Sequence, residues 1–579
     1  MKTTQYILDA LKAEGADHAF FVPGGLIDAF LATLSSTEGV APIVAAHEGG
    51  AACMADGYAK ASGRFGACFA IGGPGVTNMV TAAASARADS SPILIISGQV
   101  PTDWEGKGGF QDSSSAALND IAILSPVALA SLAIENIHLV HHHLRECFTR
   151  MLAGHQGPVH VSVPIDIQHS EVSAPWVPLD ESVHHPRFAD REGIERLWKT
   201  LLPADGTPAK RVAILAGAGV EKSEATDLLI DFAEQFEIPV ATTLRAKGVF
   251  PENHRLSLGV FGYAGHRPAI DMLLSNAPGA EVEVLLVLGS GLSQRDTMYW
   301  DTDMLPSRAM VHVDVDPTVL GRTWQSEAPV VGDCGEVLKR LLNADSGRRA
   351  DLAASNSERA AWVESVISAG PRHYDLENTD SDAMPLHPAR VVKELRKALP
   401  RAGVLVSDSG AHRAFCCHYW ESYGPRSYFS AANIGPMGWA IPAAVGVQAA
   451  LPEKRVATVT GDGCMLMHGV EMQTAARYNM PIVYIVVNNA ALGNVWLRAS
   501  QQGPGPEGLT LLPRHDWAGF AKSLGLEAES VERPEDLAPA MERAFASGKT
   551  YCLDVWCDRA FKTPVTPYAK AKQSWVDED

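Results

Sequence analysis

The stretch that decides the fold is Arg455 to Leu492, which reads RVATVTGDGCMLMHGVEMQTAARYNMPIVYIVVNNAAL. It predicts a strand over 456–460, a helix-length segment, and a second strand over 482–487. Pro481 ends the helical segment, and the first run is apolar at nearly every position, as is typical of a parallel strand covered on both faces. The stretch therefore predicts a βαβ unit of a parallel sheet.

Each of the two strands of this unit is followed by a polar cluster. Because both strands of a right-handed crossover point the same way, we expect Asp462 and Asn489 side by side at the carboxyl edge, where open α/β sheets bind ligands. Gly461 and Gly463 permit a tight turn, and the following helix N-terminus suits a phosphate. Carboxylate and amide oxygens are the ligands that Mg²⁺ prefers. Either cluster alone is typical of an ordinary turn, but the pair predicts a metal-bridged diphosphate.

The spacing of these clusters, GDG, then 24 residues, then NN, resembles the signature of thiamine-diphosphate (ThDP) enzymes. The resemblance implies that Asp462, the Asn489 side chain and the Ala491 carbonyl hold Mg²⁺ on the coenzyme's diphosphate. It also implies that three residues of the turn lie against the coenzyme, namely Gly461, Gly463 and Cys464.

The composition is that of an ordinary globular protein. Its 579 residues suit about three domains of ~150 to 200 residues each. A net charge of -19 without a basic block argues against nucleic acid or an anionic membrane surface as partner. Nine scattered cysteines without a CxxC pair favour a reducing cytoplasm, and no run is long enough to span a membrane. We expect small-molecule substrates as partners.

Apolar β runs alternate with helical segments along the whole chain, which predicts an α/β fold of three doubly wound parallel-sheet domains. The predicted domains are a pyrimidine-binding domain over 1–175, a Rossmann-like middle domain over 188–342 and a diphosphate-binding domain over 387–557. Polar segments over 174–186 and 346–386 are predicted linkers, and 558–579 is a tail that either covers the site or is disordered.

The first domain carries glycine turns in a fixed order: PGG at 23–25, HEGG at 47–50, GGPGVTN at 72–78 and SGQVPTDWEGKGGFQD at 97–112. Together they resemble the pyrimidine-binding domain of the same family. The resemblance implies that Glu48 hydrogen-bonds N1′ of the aminopyrimidine and so helps to activate the thiazolium carbon. We expect such a glutamate to sit dry, with a raised pKa. Gly24, Gly75 and Asn78 are the other predicted coenzyme contacts of this domain.

Within the family, the stretch 97–112 is most similar to acetolactate synthase and its carboligase relatives. This resemblance implies that Phe110 and Gln111 line the reaction centre, with Leu26 in the substrate pocket. Simple decarboxylases of pyruvate type are expected to carry paired histidines here, and these are missing. A histidine cluster at 138–143 reads as a solvated helix face rather than a metal site.

The middle domain shows a strand leading into GAGV at 217–220, which is weak evidence for a dinucleotide site because GxGxxG is incomplete. Related synthases bind a non-redox FAD here, and Arg295 matches an arginine that lies near flavin and the acceptor substrate. Four neighbours depart from the synthase pattern and leave FAD, ADP or no nucleotide open: Gly291, Ser293, Gln294 and Ile165.

In the third domain, Asn433 to Gly438 resembles the family's GxMG motif. The resemblance implies that Met437, with Gly435 beside it, is the apolar wedge that bends ThDP into its V shape. Asn494, Val495 and Arg498 are predicted to line the pocket wall, where a cation would suit an anionic substrate. An Arg498 that points to solvent is an equally good interpretation.

The resemblance implies a Mg²⁺-dependent carboligase that decarboxylates a 2-oxo acid and joins the resulting acyl-anion equivalent to a second carbonyl compound. A lyase that cleaves a 2-hydroxyketone or 2-hydroxyacyl-CoA, and a non-oxidative decarboxylase, are the alternatives. A coenzyme-binding pseudoenzyme is disfavoured because the residues expected at both ends of the coenzyme are present. The family also implies a homodimer or homotetramer, in which Glu48 of one subunit meets the diphosphate held by another.

Overall fold

Three six-stranded sheets, parallel throughout, form the framework of the chain in the computed structural model, which describes residues 1–184, 187–204 and 207–565. The strand orders are β2-β1-β3-β4-β6-β5, β12-β11-β10-β7-β8-β9 and β14-β13-β15-β16-β18-β17. The N-terminal strands are β1 His18–Phe21, β2 Ala41–Val44, β3 Gly66–Ile71, β4 Ile93–Gln99, β5 Ala130–Ala133 and β6 Val159–Pro164. The middle strands are β7 Val212–Ala216, β8 Val240–Thr242, β9 Ser257–Val260, β10 Val284–Leu288, β11 Ala309–Asp314 and β12 Ala328–Val331. The C-terminal strands are β13 Val404–Ser407, β14 Tyr428–Phe429, β15 Val456–Gly461, β16 Val483–Asn488, β17 Glu527–Val531 and β18 Tyr551–Trp556.

Helices cover both faces of each sheet, because parallel strands need a crossover between them. The N-terminal helices are α1 Thr3–Ala13, α2 Asp28–Leu34, α3 Glu48–Ser62, α4 Pro74–Ala88, α5 Asp120–Leu124, α6 Val140–Leu152, α7 Ile165–His169 and α8 Glu181–His184. The middle helices are α9 Arg191–Leu201, α10 Ala218–Lys222, α11 Thr226–Phe236, α12 Arg267–Leu273, α13 Cys334–Leu342, α14 Ser346–Ala353 and α15 Asn356–Ile367. The C-terminal helices are α16 Pro388–Ala398, α17 Ala411–Tyr419, α18 Ala440–Ala450, α19 Asp462–His468, α20 Met472–Arg477, α21 Gly493–Ala499, α22 Trp517–Ser523 and α23 Pro534–Ala546. The predicted fold class is confirmed.

The N- and C-terminal domains share one hydrophobic core, which runs through the contact between α3 and α18. The two helix backbones approach closely because small residues face each other. A Cβ on Gly57 would lie 2.2 Å from the Ala443 carbonyl oxygen, and one on Gly446 would lie 1.9 Å from that of Met54. The small-residue run of α3 therefore serves to dock the two domains.

Two segments fold differently from the expectation. The predicted linker over 346–386 contains α14 and α15, and Leu352, Trp362 and Val366 of these helices are buried in the core of the middle sheet. The predicted single helix after the GDG turn is broken at Gly469 into α19, a short 3-10 turn and α20. The proposed cover by the tail concerns residues beyond 565, which lie outside the described part.

All nine cysteines are free and buried. Among the described residues, no helix is both long and apolar enough to cross a bilayer, and no three metal-binding side chains cluster. The histidines at 138–143 lie on α6 and on the 3-10 turn before it.

Candidate active site

The GDG turn and the NN turn meet at the carboxyl edge of the C-terminal sheet. Strands β15 and β16 are neighbours with Gly461 opposite Val487, so Asp462 and Asn489 follow directly at the same edge. The Asp462 Oδ2 atom accepts the backbone N–H groups of Asn489 and Ala491, each at 3.2 Å. Its Oδ1 atom accepts the N–H of Gly463 at 2.8 Å. The acid thus ties the two turns together.

Asp462 is 2% exposed, and burial raises the pKa of its carboxyl group. The Asn489 amide oxygen accepts the Ala491 N–H at 3.1 Å, which fixes that side chain at the same edge. A buried carboxylate without a cationic side chain beside it is poorly compensated. A divalent cation bound to these oxygens would neutralise it, so the donor set fits Mg²⁺.

A glycine cradle adjoins this pair. A Cβ on Gly463 would lie 2.6 Å from the Leu492 Cδ2 atom and 2.9 Å from the Met437 methyl carbon, so a larger residue here would push both side-chain ends aside. A Cβ on Gly461 would lie 3.0 Å from the ring of His412. The predicted wedge Met437 and the GDG turn after the first strand of the βαβ unit therefore line the same small volume.

His412 was not predicted from the sequence. It is 7% exposed, its Nε2 atom has no hydrogen-bond partner among the described residues, and burial lowers its pKa to about 3. A neutral imidazole with one unsatisfied nitrogen, next to a glycine turn at a helix N-terminus, offers a further contact to a phosphate oxygen. The cradle therefore fits a diphosphate.

Asp408, also missed, holds the loop that carries Met437. One carboxylate oxygen accepts the N–H groups of Ser409 and Gly438 at 2.8 and 3.0 Å, and the other accepts the Thr460 hydroxyl at 2.9 Å. Gly435, with φ +64°, supplies the left-handed turn of that loop. The predicted contact Cys464 is buried, and its thiol donates to the Ser409 carbonyl at 3.2 Å.

Glu48 is the first residue of α3, at the carboxyl edge of the N-terminal sheet. Its carboxylate accepts the Asn78 side-chain amide at 2.9 Å, so the structure joins two residues predicted from separate motifs. The sequence predicted a dry glutamate, but Glu48 is only half-buried in the single chain. The chain by itself leaves this end of the site open.

Glu471 of the C-terminal domain holds the loop before Glu48. It is fully buried, and its two oxygens accept the N–H groups of His47 at 2.9 Å and Ala46 at 3.1 Å. A Cβ on Gly50 would lie 1.9 Å from the nearer oxygen, so the glycine makes room for this carboxylate. No local sequence pattern pointed to Glu471, because the backbone N–H groups that it accepts lie more than 420 residues away.

Three other predicted residues of the first domain shape the floor of its glycine turns. Gly24 and Gly75 pack on Ile71, where added Cβ atoms would approach its side chain to 2.7 and 3.2 Å. Leu26 is buried, and its carbonyl accepts the Gln168 side chain at 2.8 Å.

Phe110 and Gln111 lie on a surface loop. The Phe110 side chain is 85% exposed, and Gln111 has a positive φ of 61°. The Phe110 ring is therefore open to solvent in the single chain.

The predicted pocket wall divides into two parts. Asn494 is half-buried on α21, while Val495 is 41% exposed and Arg498 is exposed. Arg295 is half-buried, 4.6 Å from the centre of the Tyr263 ring, and Arg413 stands 5.5 Å from the same ring centre. The structure thus places Arg295 at the junction of the middle and C-terminal domains, beside Tyr263 and Arg413.

The two ends of the predicted site lie on different domains. Glu48 begins α3 and Asp462 begins α19, and within the described residues no hydrogen bond joins Glu48 to the GDG or NN turn.

The middle sheet has a cleft of its own. A cavity of about 250 Å³ lies at the carboxyl edge of β7, β10 and β11. Gly219, Gly289, Asp314 and Asp333 line this middle crevice. Burial raises the pKa of Asp314 to about 6. The position is the switch point of the sheet, where doubly wound folds bind ligands.

Three family comparisons match separate parts of the chain. Residues 1–118 match the N-terminal TPP binding domain of thiamine pyrophosphate enzymes, 207–341 their central domain, and 408–555 their C-terminal TPP binding domain. The order of the three matches is the order of the three sheets.

Several relatives match nearly the whole chain. A probable acetolactate synthase large subunit of Methanocaldococcus jannaschii is 31% identical over 577 residues, covering 98% of this chain and 94% of the relative. The acetolactate synthase large subunit of Corynebacterium glutamicum is 32% identical, covering 94% and 84%. A glyoxylate carboligase of Escherichia coli O157:H7 is 32% identical over 574 residues, covering 96% and 92%. With all three domains matched in order, the chain belongs to the thiamine pyrophosphate enzymes.

Proposed function

We propose that the protein is a ThDP- and Mg²⁺-dependent carboligase acting on a 2-oxo acid and a second carbonyl compound. The observation that carries the proposal is the cradle formed by Asp462, Asn489, Gly463 and Met437, which combines hard oxygen donors with an apolar wedge. Relatives named acetolactate synthase and glyoxylate carboligase, each covered almost end to end, support ligation as the reaction.

In this proposal the Asp462 carboxylate, the Asn489 amide oxygen and the Ala491 carbonyl hold Mg²⁺, and His412 with the α19 N-terminus holds phosphate oxygens. Glu48 shares a proton with the coenzyme's aminopyrimidine, and Asn78 orients its carboxylate. ThDP, when bound, would supply the nucleophilic carbon that adds to the carbonyl of the 2-oxo acid and the electron sink that takes up the negative charge left when CO2 departs. Met437 supports the bent coenzyme, and Arg295 is placed to meet an anionic acceptor.

The active site of this proposal is shared between two copies of the chain. Its support is the group of exposed apolar side chains that follows the GDG turn: Leu466 is 53%, Met467 55% and Val470 43% exposed, and Phe110 of the N-terminal domain is 85% exposed. Exposed apolar side chains grouped in one segment favour an interface. A homodimer would cover them and would bring a partner's loop to the open end of the cradle.

An adenine nucleotide, ADP or FAD, in the middle crevice belongs to the same proposal. The crevice offers glycine turns for a close backbone approach and Asp314 for a ribose hydroxyl. Acid extraction of the purified protein, followed by absorbance and mass spectra, distinguishes the two. A cytoplasmic location is proposed as well, supported by nine buried free thiols.

Product analysis tests the function. With ThDP and Mg²⁺, pyruvate or another 2-oxo acid is supplied alone and then with an aldehyde or a second oxo acid. We expect a 2-hydroxyketone or 2-hydroxyacid product, and release of the aldehyde alone would make the protein a decarboxylase. Glu48→Gln should lose nearly all turnover while it still binds the coenzyme, and wild-type activity in this variant would refute the proton-sharing role.

A further inference from the structure

A second cavity, here called the junction cavity, lies where all three domains meet. Its volume is about 90 Å³, enough for several water molecules. Lys60, Asp89 and Ser91 come from the N-terminal domain, while Lys222 and Arg245 come from the middle domain. The C-terminal domain adds Arg426. None of these residues belongs to the predicted coenzyme site.

The cations of the junction cavity are unequally neutralised. Lys60 is paired with Asp56 at 3.1 Å and with Asp89 at 2.9 Å. Lys222 donates to the Ser90 carbonyl and, among the described residues, has no carboxylate within ion-pair distance. A cation in a partly buried cavity costs free energy unless an anion compensates it.

The carboxylate partners of the two arginines are distant. The Arg245 Nε atom is 3.7 Å from the Asp89 carboxylate, although its Nη2 atom donates to the Asp89 backbone carbonyl. Arg426 is 3.5 Å from Glu224, a side chain 60% exposed. Glu221 lines the cavity too, but it is held by the Arg426 N–H at 3.0 Å, and burial raises its pKa. Three cations therefore face one small cavity with weak local compensation.

Two unsatisfied hydroxyl groups face the same space. Ser91 is 2% exposed, and its Oγ atom has no hydrogen-bond partner among the described residues. The Ser430 hydroxyl, which also lines the cavity, is likewise unpartnered in the part of the chain that the structure describes. A buried hydroxyl without a partner is destabilising, so a ligand that accepts a hydrogen bond is favoured here.

We propose that the junction cavity binds a phosphate-type oxyanion, which Lys222, Arg245 and Arg426 neutralise and the Ser91 hydroxyl contacts. Guanidinium and ammonium groups together with a hydroxyl donor are the usual recognition set for phosphate. The phosphate comes from one of two sources. It is either a free ion or the phosphate group of a nucleotide in the middle crevice, since Lys222 and Gln156 line both cavities.

Asp89 connects the junction cavity to the coenzyme loop. Its carboxylate accepts the N–H groups of Ala432 and Asn433, each at 3.3 Å, and the Asn433 side chain donates to the Ala88 carbonyl at 2.7 Å. These residues begin the loop that leads to Met437. An anion that competes with Asp89 for Lys60 and Arg245 weakens its hold on the loop, so anion binding changes coenzyme affinity.

The binding test uses the full-length protein with saturating ThDP and Mg²⁺, so that the coenzyme's own phosphate contacts are occupied. Thermal unfolding and calorimetry are followed with inorganic phosphate, ADP and FAD, against chloride at equal ionic strength. We expect saturable stabilisation, with at least a tenfold weaker affinity in Lys222→Gln and Arg245→Gln. The exposed Lys199→Gln is the matched control and should bind as wild type does.

Each outcome either supports or overturns the proposed anion site in the junction cavity. Binding of inorganic phosphate identifies a free ion, and binding of nucleotides alone identifies a nucleotide phosphate; both support it if the cavity variants lose the effect. Ser91→Ala, a minimal change, should also weaken binding if the charge variants fold poorly. No saturable effect of any of the three ligands, or equal binding by all variants, overturns the proposal even if carboligation is confirmed.

The coupling has a separate readout, which rests on the proposed coenzyme site. The apparent ThDP affinity is measured without the bound anion and with it at saturation. By linkage, the factor by which the anion changes ThDP affinity equals the factor by which ThDP changes anion affinity. We expect at least a twofold change in the wild type and none in Lys222→Gln. A ThDP affinity that ignores the anion would refute the coupling.

Discussion

Glu471 is a buried carboxylate that positions a proposed catalytic group without contacting it. Both of its oxygens accept backbone N–H groups of the loop before Glu48, and the Thr474 hydroxyl donates to it as well, at 2.9 Å. Burial raises the pKa of this carboxyl, but the three donors favour the charged form. It therefore acts as a positioning residue for Glu48, built into the other coenzyme domain.

Replacing Glu471 by Gln turns one acceptor into an NH₂ group that faces a backbone N–H. An unsatisfied buried donor costs about 1 to 3 kcal/mol, and the loop that carries Glu48 shifts to avoid it. We expect kcat to fall by at least tenfold, with a smaller change in Mg²⁺ and diphosphate affinity. Steady-state kinetics and coenzyme titration measure the two effects. The exposed Glu532→Gln is the control, and a Glu471→Gln enzyme with unchanged kcat would contradict the positioning role.

Asp408 should make stability depend on pH. Burial raises the pKa of its carboxyl to about 6, above the 3.8 of an ordinary aspartate. Between these values the folded protein keeps a proton that the unfolded chain has lost, so its free energy of unfolding falls as pH rises. This difference in the pKa of Asp408 corresponds to about 3 kcal/mol of the free energy of unfolding. Urea unfolding from about pH 4 to pH 7 should show this loss in the wild type and a flatter dependence in Asp408→Asn. Parallel pH profiles would refute the assignment.

Local pattern predicted only part of the candidate site. Asp462 and Asn489 were predicted because their spacing follows from one βαβ unit, and Glu48 because the order of glycine turns around it resembles the family's pyrimidine-binding domain. Asp408, His412 and Glu471 gave no such signal. Their partners lie on other elements, and a single buried acid or histidine in an apolar stretch is indistinguishable from an ordinary core or turn residue.

At the scale of elements, the two strands of the predicted βαβ unit, 456–460 and 482–487, lie within one residue of β15 and β16. Shorter strands gave no comparable signal: β5, β8, β9, β12 and β14. Several of these have two to four residues, too few for a period to show. The break of the helix at Gly469 was not predicted either, because it depends on the contact that Glu471 makes with the other domain.

The docking of α3 on α18 depends on backbone contact, so it should be sensitive to a single methyl group. In Gly57→Ala the new Cβ would lie 2.2 Å from the Ala443 carbonyl oxygen, and the helices must separate to admit it. Overpacking of this kind costs about 1 to 3 kcal/mol. We expect a lower midpoint in thermal unfolding, whereas Gly424→Ala, with no atom within 4 Å of its added Cβ, should be nearly neutral. Equal midpoints would show that the contact relaxes freely.

At the scale of the whole molecule, several residues of the candidate site are open in the single chain. Glu48 is half-buried, while Phe110 and the apolar residues after the GDG turn are exposed. The sequence could not show this exposure, because it carries no record of which surfaces face a second copy. The proposed homodimer would cover these residues.

Mixing two inactive variants tests this arrangement directly. Glu48→Gln and Asp462→Ala each disable one end of every site in their own homodimers. If each site takes Glu48 from one chain and Asp462 from the other, a mixed dimer contains one doubly altered site and one intact site. Random exchange at equal amounts makes half of the dimers mixed, so activity should return to about a quarter of the wild-type value. If each site were contained within a single chain, every site would carry one of the two substitutions. The mixture would then stay inactive however long the subunits exchange.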